Sequence, residues 1–257
     1  MLIVRQVYKS YGSGILGNRR RQILKDISFT VEQGECVALI GESGCGKSTL
    51  ARLILGLEAC DSGRIACAGL AVSNRPRHRK ALYQNMQPVF QDSAGCLNPR
   101  MKIRDSICEP LRNFAALPAA KEQMEVEKLL ALVELPSSVL DRYPHQLSGG
   151  QQRRVCIARA ISIRPRFLIM DEAVSGIDAT TTKTILGLLG ILQREVGCGS
   201  LFITHDLQIA LYMARKVLVM RGGQIVETVQ DAASAGDFTT PYAKQLFRSS
   251  TLDCLKK

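Results

Sequence analysis

One short stretch restricts the possible folds more than any other: "GESGCGKST", from Gly41 to Thr49. It follows an apolar run, "CVALI", that reads as a buried strand, and it leads into a pattern that predicts a helix from Lys47 to Gly56. The spacing Gly41-x-x-x-x-Gly46-Lys47-Ser48 is that of a P-loop. Its glycines let the backbone wrap a phosphate, so that successive N–H groups and the positive end of the helix point at one anion. Gly41, Ser43, Gly44, Cys45, Gly46, Lys47, Ser48 and Thr49 are therefore the first candidate binding residues. Lys47 would bridge the outer phosphates, and Ser48 would offer its hydroxyl oxygen to Mg²⁺.

A nucleotide triphosphatase also needs a carboxylate for the metal and a group to orient water. "FLIMDE" supplies both. The four apolar residues Phe167 to Met170 place Asp171 at the end of a buried strand, where it can hold the metal. Glu172 follows directly and can act as general base on water at the γ-phosphate.

A second glycine stretch, "LSGGQ" from Leu147 to Gln151, opens another helical pattern. Ser148 brings a hydroxyl, Gly149 and Gly150 leave backbone N–H groups uncovered, and the helix from Gln151 presents its positive end. This too suits phosphate, but one fold cannot turn a second cradle onto its own P-loop. The expectation is that Ser148, Gly149, Gly150 and Gln151 serve the nucleotide of another subunit.

Around these motifs, buried strands alternate with helices, which implies a mainly parallel sheet covered on both faces. The expected class is α/β: a P-loop NTPase core, an N-terminal antiparallel β subdomain built from "LIVRQVY" and "ILKDISFTVEQG", and an inserted helical subdomain at about 92–163. The body runs over 1–230, with a tail at 231–257 expected to be irregular. In the insertion, Ile103, Ile107 and Leu111 form an i, i+4, i+8 stripe. That stripe either packs into the core or lines a groove for a short helix of a membrane subunit; the pattern leaves both open.

Composition narrows the setting. With 257 residues and 46% hydrophobic content, the chain can bury a sizeable core. Its nine cysteines are scattered without a C-x-x-C pair, which predicts reduced thiols and no zinc site. The opening "MLIVRQVYKSYG" lacks the features of a secretory signal, and no apolar run reaches the ~20 residues a spanning helix needs. A membrane role is thus expected to be peripheral. The net charge of +11 favours polyanionic partners, with basic clusters at Arg19–Arg21, "RPRHRK" and Lys256–Lys257 read as solvated loops and a tail.

Taken in order, these motifs resemble the ATP-binding subunits of ABC transporters, from about Val4 to Glu227. The resemblance makes "GESGCGKS" Walker A, "FLIMDE" Walker B and "LSGGQ" the signature. It further implies that Gln91 in "PVFQD" contacts Mg²⁺ or water at the hinge of the insertion, and that "SGID" places Asp178 in the loop after Walker B. His205 in "FITHD" would hold Glu172 and the water, and Tyr11 in "SYG" would stack on adenine. The implied cofactors are ATP and Mg²⁺, and ATP shared between two subunits would drive their closure.

"VFQDSAGCLNPRM", the loop between Tyr11 and Ile23, and "TTPYAKQL" resemble the peptide, opine and nickel uptake family of ABC importers, and "DEAVS" and "CIARA" resemble its nickel-importing branch. The cargo implied is nickel or a nickel chelate, with di- or oligopeptides as the alternative. The implied partners are two transmembrane permease subunits, a second, different ATPase chain and an external substrate-binding protein, at the cytoplasmic face of the inner membrane. Departures from the family's usual residues, such as Gly176-Ile177 and Ala94-Gly95-Cys96, bear on cargo more than on ATP chemistry. An ABC ATPase acting on nucleic acid or ribosomes is the other class considered; the +11 charge favours it, but the chain lacks sustained heptads and carries one cassette.

Overall fold

The computed structural model describes residues 1–13, 19–73, 76–176 and 179–249. Two sheets share the chain. The first is antiparallel, in the order β2 (Arg19–Val31), β1 (Leu2–Ser13), β4 (Ser62–Cys67), β5 (Leu70–Ala71). The second has the order β10 (Gln224–Val229), β9 (Lys216–Arg221), β3 (Cys36–Ile40), β8 (Gly199–Thr204), β7 (Phe167–Asp171), β6 (Met86–Phe90). From β9 to β6 every pairing is parallel, and β10 closes the edge as an antiparallel hairpin partner of β9.

Every residue of β3 and of β8 is buried, because both faces of the parallel sheet are covered. Alternation then divides β3 between two cores. Val37 and Leu39 pack with the antiparallel sheet and with α1 (Lys47–Ile54), whereas Ala38 and Ile40 face the larger core that includes the helical elements. The sheet ends are therefore held from both sides, and the loops that carry the candidate site spring from those ends.

Between β6 and β7 the chain forms α3 (Ser93–Cys96), α4 (Ile103–Pro110), α5 (Ala119–Leu132) and α6 (Gly149–Ile161). α2 (Pro76–Asn85) precedes β6, so part of the basic "RPRHRK" stretch is helical rather than loop, with His78, Arg79 and Lys80 exposed on it. α4 continues through a π-helical turn, Leu111–Ala115, which ends at Ala116 in the left-handed region. Ile103, Ile107 and Leu111 are all in the larger core with Val126, Leu130 and Val155. The groove alternative for that stripe is thereby corrected: their apolar face is already covered by α5 and α6.

After β7 come α7 (Ala179–Val196), β8, α8 (Leu207–Met213) and the β9–β10 hairpin. The stretch after Asp231 is not irregular over its described part. A short 3₁₀ turn at Ala235–Asp237 leads to α9 (Pro241–Ser249). Thr240 starts that helix, its Oγ1 accepting from the Ala243 amide at 3.2 Å. Phe238, Tyr242 and Ala243 are buried in the larger core. Lys256 and Lys257 lie outside the described residues. Among the described residues no helix is long and apolar enough to cross a membrane.

Candidate functional site

The loop after β3 is shaped by what surrounds it. Gly41 leaves the strand so close to β9 that an added Cβ would sit 2.2 Å from the Met220 carbonyl oxygen, so a side chain is excluded there. Gly46 turns the chain into α1 at φ 113°, and α1 starts without any side-chain cap. Its N-terminal amides are thus left for a ligand, the arrangement that binds phosphate. Lys47 is buried, and its Nζ donates to the carbonyls of Gly41 (2.6 Å) and Glu42 (2.9 Å), across the mouth of the loop. Cys45 is buried beneath it, and burial pushes its thiol pKa up.

A cleft of ≈ 570 Å³ gathers Tyr11, Ser43, Gly44, Gly46, Lys47, Ser48, Thr49, Gln91, Glu172 and His205. Arg21, Arg52 and Ser175 complete much of its wall, so its surroundings are cationic and suited to a polyphosphate. On its floor Ser48 Oγ lies 3.5 Å from Asp171 Oδ1. Burial raises the Asp171 pKa, the Ser48 hydroxyl opposes that rise, and the neighbouring Glu172 adds to it. A buried carboxylate in this state gains from a divalent cation beside it. The donor set Ser48, Asp171 and Gln91 is all oxygen, which fits Mg²⁺ completed by phosphate and water. Among the described residues no group of three or more His, Cys, Asp or Glu side chains forms a metal cage.

Glu172 is the one residue of this wall whose backbone is strained. Its φ is 53°, in the left-handed region, and its amide donates to the Ile203 carbonyl at 3.0 Å. Such a conformation in a non-glycine residue persists only where the surroundings enforce it. The effect is to turn the carboxylate toward the end of β8, where His205 Nδ1 lies 2.8 Å from Glu172 Oε2 and 3.0 Å from Oε1. Asp206, not His205, caps α8, accepting from the Gln208 and Ile209 amides. His205 is left to the cleft.

Tyr11 stands at the rim, half exposed, with its hydroxyl donating to Glu58 and Lys9 Nζ 5.1 Å from its ring centroid. Burial raises its pKa, and Glu58 raises it further. Gln91 is the residue after β6, and its carbonyl accepts a hydrogen bond from Arg153. Arg153 was not singled out by the sequence pattern, since an arginine in a helix is ordinarily a surface residue. It is buried, and its guanidinium also donates to the carbonyls of Glu172 (3.3 Å) and Ala173. Burial lowers its pKa. One side chain of α6 therefore ties the ends of β6 and β7 together.

Ser148, Gly149, Gly150 and Gln151 do not line this cleft. They begin α6, where Ser148 Oγ accepts from the Gln151 amide (3.3 Å) and Gln151 Oε1 accepts from the Ser148 amide (3.0 Å), a capping box. Ser148 and Gly149 are exposed. Asp178 lies outside the described residues.

Comparison with known proteins gives the site its context. The family model described as ABC transporter matches residues 24–175. The nickel import ATP-binding protein NikE of Brucella suis biovar 1 is 45% identical over 228 residues, covering 88% of this chain and 85% of that protein. The protein of the same name from Escherichia coli O6:H1 is 46% identical over 218 residues, covering 84% and 81%. Among solved structures, the ATP-binding cassette MJ0796 in a dimeric post-hydrolysis state with ADP and Pi superposes with a TM-score of 0.81 at 26% identity, over 90% of this chain and 99% of that one. CbiO1 of Clostridium perfringens, part of the transporter complex cbiONQ, gives 0.78 at 27% identity, over 96% and 90%.

Proposed function

The chain belongs to the ABC transporter family and is an ATP-binding, ATP-hydrolysing subunit of it, and from that premise we propose that it energises import of nickel or a nickel chelate by closing onto a second ATPase subunit around ATP. The observation that carries the chemistry is the Glu172–His205 contact of 2.8 Å at the mouth of the P-loop cleft. It holds a carboxylate where water would meet a γ-phosphate cradled by residues 41–49.

The geometry supports one role for each residue. The α1 amides and Lys47 bind the phosphates, and Lys47 exchanges its loop carbonyls for phosphate oxygens. Ser48, Asp171 and Gln91 hold Mg²⁺, which neutralises charge on the phosphates when bound. Glu172 accepts a proton from water, and His205 keeps the carboxylate in place for it. Tyr11 offers its ring to the base. Ser148 and the Gly149 and Gly150 amides act on the phosphate held by the other subunit, since Ser148 and Gly149 are exposed and none of the three lines the cleft of its own chain.

The coupling to membrane subunits uses a groove different from the stripe on α4. It is an apolar cavity of ≈ 270 Å³ lined by Leu57, Phe90, Pro110 and Phe114 among others. Leu57 is half exposed there. Phe90 immediately precedes Gln91, so a permease helix seated in the groove abuts the strand that carries the metal-site glutamine. Through this contact the subunit sits peripherally at the inner face of the membrane.

The cargo assignment rests on the NikE relatives, whose 45% identity extends over 88% of the chain. Deleting the protein and comparing growth under nickel limitation and peptide limitation tests it. Nickel-specific loss of growth supports the assignment, and loss confined to peptide-limited medium overturns it.

A further inference from the structure

The segment after β10 reaches back to the nucleotide site. Tyr242, on α9, is buried, and its hydroxyl accepts from the Glu42 amide of the P-loop at 3.2 Å while donating to the Met220 carbonyl of β9 at 3.4 Å. These are the two backbones that Gly41 brings into contact. The Arg221 guanidinium carbon lies 4.7 Å from the Tyr242 ring centroid, covering one face of the ring.

The helix that carries Tyr242 is itself anchored. The Glu227 carboxylate on β10 accepts from the amides and hydroxyls of both Thr239 and Thr240. Asp237 accepts from the Ala233 and Ser234 amides, and Phe238 and Ala243 are buried. A side chain held this firmly can impose a position on a loop instead of following it.

We propose that Tyr242 is a positioning residue for the nucleotide site, and that residues 231–249 form a strap whose hydroxyl contact fixes the start of the P-loop. The contact is made to a backbone amide, so it acts on the shape of the cradle and not on its charge. With the hydroxyl removed, the Glu42 amide loses its protein acceptor and the loop spends less time in the phosphate-binding shape. Apparent affinity then falls in proportion to the competent fraction. The chemical step, set by Glu172 and His205 on the opposite wall, is left unchanged.

This inference rests on the ATP-binding reading, and the test separates the two. The full chain, unaltered, is titrated with Mg²⁺ and a non-hydrolysable ATP analogue; failure of that binding would strike the earlier reading. Tyr242→Phe keeps the ring and its contact with Arg221. It is expected to weaken analogue binding about three- to tenfold, the range for losing one hydrogen bond. KM for ATP rises by a similar factor, kcat stays within about twofold, and the melting temperature falls by about 2–5 °C.

Phe238→Leu, in the same strap and buried in the larger core, should lower thermal stability without changing analogue affinity. Glu227→Gln, which loosens the anchor, should give a smaller affinity loss than Tyr242→Phe and serves if that variant folds poorly. Unchanged affinity in both Tyr242→Phe and Glu227→Gln overturns the proposal. So does an equal affinity loss in Phe238→Leu, because the effect would then follow stability alone.

Discussion

The molecule offers two glycine-rich helix starts, and they differ in how their own chain treats them. At Gly41–Thr49 the loop is pressed against β9, its lysine is buried, and Gln91, Glu172 and His205 line the same cleft. At Leu147–Gln151 Ser148 and Gly149 are exposed and no residue of the segment lines that cleft, its serine and glutamine engaged in a capping box. Both present helix N-termini to solvent or ligand, yet only the first sits in a cleft that also holds Glu172 and His205. Phosphate affinity comes from the local backbone, whereas turnover depends on what the rest of the fold, or another subunit, brings to it.

The sharpest way to break this contrast is at the base. Glu172→Gln should leave ATP binding intact while kcat falls by about 10²–10⁴-fold, measured by steady-state phosphate release alongside nucleotide binding. Unchanged hydrolysis would remove Glu172 from its assigned role. Next in size is Gly149→Asp, which places a negative side chain at the second helix start. Binding of nucleotide by the isolated chain should stay the same, while turnover in the assembled transporter falls about 100-fold. Equal loss in both assays would mean that the two glycine stretches are not separate sites.

The tie between the two regions is Arg153, which leaves α6 to hold the ends of β6 and β7. Arg153→Met strands the Gln91, Glu172 and Ala173 carbonyls and should lower the melting temperature by about 3–10 °C. Differential scanning calorimetry checks it. A change below about 1 °C would show that water replaces the guanidinium without cost.

The smallest effect concerns the strap. Burial works to raise the Glu227 pKa, but the hydrogen bonds from Thr240 and Thr239 hold it below the usual glutamate value. A carboxyl lowered in the folded state adds stability above its unfolded pKa and loses it as pH falls through its folded pKa. Glu227→Gln should therefore cost about 2–4 °C in melting temperature at neutral pH, and the two proteins should converge as pH falls through the lowered pKa of Glu227. A constant difference across that range would contradict the linkage.

What the sequence disclosed follows from where each signal resides. The P-loop, Asp171, Glu172 and the signature are read from spacing within a few residues, and the flanking apolar runs place them at strand ends. The parallel core was legible because strands such as Phe167–Met170 and Leu201–Ile203 are apolar throughout. The stripe Ile103, Ile107, Leu111 showed that a face is covered but not by what, since amphipathicity carries no partner identity. Arg153 and Tyr242 act through backbone groups 62 and 200 residues away, and nothing local encodes such contacts. The positive φ of Glu172 left no trace, because its residue type gives no warning. The helix at α9 did leave one: Thr240-Pro241 is a cap followed by proline at the first helical position, and Tyr242, Ala243 and Leu246 after it supply one apolar face.

The central claim is that each P-loop is completed by the Leu147–Gln151 segment of another ATPase subunit. A structure of the assembled transporter carrying Glu172→Gln and holding Mg²⁺ and ATP measures it directly. The account predicts Ser148 Oγ and the Gly149 and Gly150 amides within hydrogen-bond reach of a γ-phosphate bound by the companion subunit's P-loop. The same segment facing solvent, or seated against a surface remote from any nucleotide, would contradict it.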